Sequence, residues 1–117
     1  DEAIVDLYRR AWVLASASAR EGWGMSITEA AACRTPAVAT RIAGHLDAVD
    51  EGRSGILVTG RDELVGALDQ MIRDPDLRAR LGAGAVERAA NLTWEASSLA
   101  VLEVLAAERL RARSPHR

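Results

Sequence analysis

The segment Glu21-Gly22-Trp23-Gly24-Met25-Ser26-Ile27-Thr28-Glu29 gathers more chemically useful groups than any other stretch of this chain. Two carboxylates, Glu21 and Glu29, bracket a turn that contains Gly22 and Gly24. An ionised carboxylate only accepts hydrogen bonds, so it suits hydroxyl-rich ligands and developing positive charge. Glycine lets the backbone approach a ligand closely. A helix opening near Met25 or Ser26 aims its first N–H groups, and the positive end of its dipole, at an anion. One arrangement of this kind can hold sugar hydroxyls with carboxylates and a diphosphate with backbone amides.

The same residues admit plainer readings. Ser26 and Glu29 match a capping box, in which Glu29 only ties down the helix start. Glu21 can be a solvated loop charge. Gly22-Trp23-Gly24 resembles the start of a dinucleotide-binding fingerprint, but Ile27 stands where its third glycine belongs. Trp23 either shields a ligand or packs under the loop. Cys33 and His45 could form a nucleophile and base, or Cys33 could be a small buried thiol at a helix end. Asn91-Leu92-Thr93 is a formal glycosylation sequon, but Thr93 is also placed to cap a helix.

The elements that must position the loop follow from periodicity. Ile4, Val5, Leu7 and Tyr8 fall at helical spacing, which predicts a helix over residues 2–10. Residues 11–15 form an apolar run without alternation, as in a strand buried on both faces of a parallel sheet. After the loop, residues 26–33 read as helix, and Pro36 separates them from a second buried strand over 37–40. One helical turn fits 44–50, and a third strand fits 54–58. Asp62 is a candidate N-cap for a helix over 63–73, with Leu64, Val65, Leu68, Met71 and Ile72 on its apolar stripe. Asp74-Pro75 opens another helix that runs to Ala90. Thr93 caps a last helix over 94–111, with Trp94 as a core anchor and Val101, Leu102, Leu105 and Arg109 facing inward. This alternation predicts an α/β domain: a partial Rossmann-like parallel three-stranded sheet with flanking helices. The loop occupies the carboxyl end of the first strand, where open α/β sheets bind ligands.

Composition narrows the partners. The chain has 117 residues and a formal net charge of -2, which does not suit nucleic acid. All fifteen basic residues are arginine, a coding bias rather than chemistry. A single cysteine excludes an internal disulfide and suits a reducing compartment, so a cytoplasmic setting is expected. A peripheral association with the inner membrane in a longer protein stays open. The chain opens at Asp1 without an initiator Met, inside an amphipathic pattern, and reads as a piece of something longer.

From Trp12 to Val58 the chain resembles the C-terminal domain of GT-B glycosyltransferases of family four. The resemblance rests on E-G-W-G-M-S-I-T-E-A-A-A-C at 21–33, T-P-A-V-A-T at 35–40, the Gly44 segment and G-I-L-V at 55–58. D-P-D-L-R at 74–78 and T-W at 93–94 extend it. It implies that the chain is the second half of such a domain, without its first strands or the acceptor domain. It also implies that Glu21 contacts donor-sugar hydroxyls near the reacting carbon and stabilises positive charge there. Backbone N–H groups of Gly22, Trp23 and Gly24 would hold further sugar hydroxyls. Met25 and Ser26 would offer amides to the diphosphate, and Glu29 would accept from the ribose hydroxyls. Members retain anomeric configuration and need no bound metal or other cofactor; the donor is a nucleotide sugar, and the acceptor is not specified. Arg34 departs from the pattern, standing where a glycine usually ends the helix. Ser18-Ala19-Arg20 also replaces the proline or aromatic residues common ahead of the motif.

Three function classes follow: a retaining glycosyltransferase of hexosyltransferase type, a non-catalytic nucleotide-binding or interaction module, and a dinucleotide-binding oxidoreductase domain. The missing third glycine disfavours the last. An unpaired edge on the first strand and apolar surface on the last helix predict a homodimer, a swapped assembly or a co-purifying N-terminal half.

Overall fold

A computed structural model describes residues 2–113; Asp1, where the sequence reading opens the chain, lies outside the described residues. The elements run α1 (Glu2–Arg10), β1 (Leu14–Ser16), α2 (Met25–Ala32), β2 (Ala37–Thr40), α3 (Ala43–Ala48), β3 (Gly55–Val58), α4 (Arg61–Arg73), α5 (Pro75–Ala90) and α6 (Trp94–Arg113). The three strands form one parallel sheet in the order β1-β2-β3. Leu14 is in register with Ala37, and Ala37 with Gly55.

β2 is central, and its alternating side chains feed two cores. Ala37 and Ala39 point to one face, with Ile27, Ala48, Val49 and Leu57. Val38 points to the other, with Val58, Ala67, Met71, Leu77 and Leu81. A sheet covered on both faces needs apolar side chains in both directions, which is why Ala-Val-Ala shows no polar alternation. On the first face the small alanines let α2 and α3 pack on the sheet through Ile27 and Ala48.

β1 departs from expectation. It is only three residues long, and its side chains are half-buried or exposed rather than buried on both faces. Among the described residues it is an edge strand, with no strand pairing its outer side. Trp12 falls before the strand and is exposed, with the Arg78 guanidinium 4.4 Å from its ring centroid. That cation–π contact ties the approach to β1 onto α5.

The helix starts divide between chemistry seen and chemistry missed. Asp74 caps α5 as expected, its Oδ1 accepting from the Leu77 N–H at 2.8 Å, with Pro75 in the first turn. Thr93 caps α6, its Oγ1 accepting from the Ala96 N–H at 3.1 Å. Asp62 does not cap α4. Gly60 holds that position, and Glu63 reaches back to accept from the Thr59 N–H at 2.6 Å. The face packed on the sheet is Leu64, Ala67, Leu68 and Met71, and Val65 and Ile72 lie on its flank, exposed.

α6 also corrects the sequence reading. Val101, Leu102 and Leu105 are all about 60 % exposed, and Trp94 is 87 % exposed, so neither an inner face nor a core anchor exists there. Apolar residues are spread around this helix without a stripe, and spacing alone cannot select a buried side. Arg109 is exposed with them.

Arg34 resolves an open point. It takes φ 69, the left-handed conformation that the glycine it replaces would adopt. The Thr35 N–H reaches the Ala30 carbonyl at 2.9 Å, and the Arg34 N–H reaches Ala31 at 3.0 Å. These paired bonds form a Schellman motif, so the helix ends as a glycine would end it, with arginine carrying the strain.

Candidate functional site

The loop between β1 and α2 sits at the carboxyl end of the sheet and is held at four points. Near its start, the Thr40 Oγ1 hydroxyl donates to the Ser18 carbonyl at 2.6 Å. Ser18 in turn donates to Glu21 Oε1 at 3.5 Å, and Glu21 is otherwise exposed. In the middle, the loop lies directly on Gly44. A Cβ at that position would stand 2.6 Å from the Glu21 carbonyl oxygen and 2.8 Å from the Trp23 nitrogen. Only glycine permits that backbone approach. At its end, Gly24 adopts φ 78 and rests on the His45 ring and Ile27.

The left-handed turn at Gly24 launches α2 at Met25. Its carbonyl already accepts from the Ile27 N–H at 2.9 Å, and no side chain caps the helix. The amides of Met25 and Ser26 belong to the first turn and have no intrahelical acceptor. Met25 and Ser26 are both exposed. Here the expected helix opening is found, and the capping-box reading fails: Ser26 lies inside the helix rather than at its cap. Glu29 instead accepts a hydrogen bond from the Tyr8 hydroxyl of α1, Oη to Oε2 at 3.1 Å. That bond uses one carboxylate lone pair and leaves the rest of the group exposed. The Tyr8 phenol is pushed above its usual value of 10.0, first by burial and then by this bond to Glu29.

Two recesses flank α2. Trp23, Met25 and Thr28 line a cleft of about 580 Å³ together with Thr93, Trp94 and Ser97 from the start of α6. Glu29 lines a second groove of about 390 Å³ with Ile4, Val5, Tyr8 and Cys33. The fold thus brings Trp23 and Met25 together on one side of the helix and sets Glu29 on another. Glu21 and Gly22 belong to neither recess and stand at the exposed tip of the loop. Trp23 is half-buried and walls the cleft.

His45 and Cys33 do not form a catalytic pair. His45 is fully buried and spends both ring nitrogens elsewhere. Nδ1 lies 2.8 Å from the Thr40 carbonyl oxygen, and Nε2 lies 3.2 Å from Ser16 Oγ. Cys33 is half-buried in the groove beside Tyr8 and Glu29. Among the described residues, no group of three or more His, Cys, Asp or Glu side chains is arranged to hold a metal ion. No helix is long and apolar enough to cross a membrane, again among the described residues.

Sequence reasoning found the loop and its helix but undervalued what lies under them. Gly44 stood out only as part of a motif segment, although its missing side chain is what admits the loop. Tyr8 read simply as one apolar residue of α1. Its hydroxyl was the available signal, because a tyrosine on a packed face needs a partner for that group.

Comparison with known proteins converges on one family. Residues 1–88 match the family Glycosyl transferases group 1. The chain is 43 % identical over 102 residues to D-inositol 3-phosphate glycosyltransferase of Corynebacterium jeikeium, covering 86 % of this chain and 24 % of that protein. It is 44 % identical over 97 residues to the protein of the same name from Frankia alni, covering 81 % and 24 % respectively. The chain therefore spans about a quarter of the length of the curated relatives it matches. Among solved structures, sucrose-phosphate synthase from Thermosynechococcus elongatus superposes with a TM-score of 0.76 at 29 % identity, covering 97 % of this chain and 29 % of that one. Anabaena HepE in complex with UDP superposes with a TM-score of 0.70 at 25 % identity, covering 86 % and 29 %. The fold, a three-stranded parallel sheet with flanking helices, matches the GT-B glycosyltransferase fold that the motifs implied. The chain belongs to the group 1 glycosyl transferases.

Proposed function

We propose that this chain holds the nucleotide-sugar donor for a hexosyl transfer that retains anomeric configuration. The observation that carries the reading is the junction at Gly24, where a left-handed turn presents the unpaired amides of Met25 and Ser26 at the head of α2. Cleaving a sugar–phosphate bond builds positive charge on the sugar and negative charge on the leaving diphosphate. The helix start answers the second charge, and the exposed carboxylate of Glu21 answers the first. Backbone N–H groups of Gly22, Trp23 and Gly24 take further sugar hydroxyls. Glu29, oriented by Tyr8, accepts from the ribose. The amides meet the diphosphate charge without a bound metal. The relatives named as glycosyltransferases, and the neighbour solved with UDP, support this assignment. The proposed setting is cytoplasmic. Residues 1–117 alone are expected to bind donor without turning it over, because turnover needs acceptor-side groups preorganised across a closed cleft.

Calorimetric titration tests the reading. UDP should bind the chain, and Glu29→Gln should weaken that binding about tenfold, the scale of one hydrogen bond to a charged group. Gln keeps an acceptor for Tyr8, so the melting temperature should hold. Glu21→Gln should leave UDP affinity alone and lower turnover in a full-length enzyme that carries this domain. Binding of NAD in place of UDP, or of neither, would overturn the proposal.

A further inference from the structure

His45 is the most completely buried polar side chain near the loop, with no exposed surface. A carbonyl oxygen can only accept, so the 2.8 Å contact with the Thr40 oxygen places the ring proton on Nδ1. In the neutral ring, Nε2 then accepts from the Ser16 hydroxyl at 3.2 Å. Thr40 Oγ1 lies 3.3 Å from the same Nδ1 and donates its own proton to the Ser18 carbonyl at 2.6 Å. The imidazole therefore joins the end of β1, the end of β2 and the first residues of the loop. Its carbon edge supports the far end of the loop: a Cβ on Gly24 would stand 3.1 Å from His45 Cδ2. One buried ring sets the height of Gly24 and, through it, the direction of the Met25 and Ser26 amides.

We infer that His45 is a positioning residue, the floor that aligns the donor loop and the first amides of α2 with a bound diphosphate. This inference rests on the donor-binding role proposed above. The ring is fully buried beneath Gly24, so it acts through the backbone it supports. A histidine with apolar surroundings and satisfied nitrogens could serve stability alone, and the two roles differ in where their loss is felt. A stability role spreads through the domain. A positioning role is confined to the loop and to the ligand.

Two variants separate them. His45→Asn keeps an N–H for the Thr40 carbonyl and removes the ring edge beneath Gly24. Ser16→Ala removes the Nε2 partner and leaves the ring in place. Calorimetry with UDP should show affinity about tenfold weaker for His45→Asn and about threefold weaker for Ser16→Ala, the range expected for one lost hydrogen bond or less. Amide hydrogen exchange should quicken at Gly24, Met25 and Ser26, while Val38 and Ala39 in the central strand stay protected. A folded His45→Asn with wild-type UDP affinity overturns the inference, as does exchange that quickens uniformly across the sheet. If His45→Asn does not fold, Ser16→Ala decides by the same two measurements. Failure of the wild-type chain to bind UDP sinks the donor-binding reading itself, whereas equal binding by wild type and variants sinks only the role of His45.

Discussion

The Tyr8 hydroxyl donates to the Glu29 carboxylate across 3.1 Å, linking α1 to the outer side of α2. The bond fixes a side chain that spacing alone left open between a capping box and a ligand contact. It also makes the phenol sensitive to pH, because ionised tyrosine cannot donate and would face an ionised glutamate.

The sign of that sensitivity follows from the raised Tyr8 pKa. The folded state holds the phenolic proton more tightly than the unfolded chain does. The stabilisation is therefore complete below the unfolded value near 10.0 and fades as pH rises through the higher folded value. Melting temperature measured against pH should fall on this alkaline limb in the wild type. Tyr8→Phe should flatten that limb and cost about 0.5 kcal/mol near neutrality, the low end for one hydrogen bond.

Gly44→Ala tests the contact that seats the loop. The added methyl meets backbone atoms of Glu21 and Trp23, which can retreat only by lifting the loop. Overpacking of this kind costs about 1–3 kcal/mol, so the chain should melt earlier but still fold. UDP binding should fall by at least about tenfold, more than any change in the folded fraction explains. Urea titration and calorimetry on one preparation measure both.

Arg34→Gly should stabilise the chain. Arginine at φ 69 bears a steric cost of about 1–2 kcal/mol, partly offset by the greater freedom of glycine in the unfolded chain. A net gain of roughly 0.5–1 kcal/mol is expected from denaturant melts. The Schellman bonds of Thr35 and Arg34 should survive, because they involve only backbone atoms.

Self-association is expected at high concentration. β1 has an open edge, and Leu99, Val101, Leu102 and Leu105 of α6 are all about 60 % exposed. Unpaired strand edges and apolar surface of this kind favour assembly. Light scattering should show a species heavier than the monomer, and the pair Leu102→Glu and Leu105→Glu should return it towards the monomer mass. A clean wild-type monomer at high concentration would count against this expectation.

Most local signals were legible in the chain, although neither the Asp62 cap nor the capping box of Ser26 and Glu29 forms. Ala37–Thr40 is a strand because an apolar run follows Pro36, and Pro75–Ala90 is a helix because Asp74 caps it and Pro75 fits its first turn. Glycines at 22 and 24, two carboxylates and a helix start identified the candidate loop without coordinates. Each of these signals acts within a few residues, through backbone conformation or a single hydrogen bond, so the linear chain records it.

Contacts between distant segments left no such record. Leu64, Ala67, Leu68 and Met71 of α4 face the sheet while Val65 and Ile72 stay exposed, a side that only the packing against the strands selects. Trp94 is exposed because no described residue covers α6 on that side, which no spacing within α6 could reveal. The sequence by itself determined that a glycine-rich, carboxylate-flanked turn precedes a helix on a parallel sheet. Tertiary structure alone decided that Gly44 seats that turn, that His45 supports it and that Tyr8 orients Glu29. Those three contacts join residues more than twenty positions apart, and only packing brings such residues together.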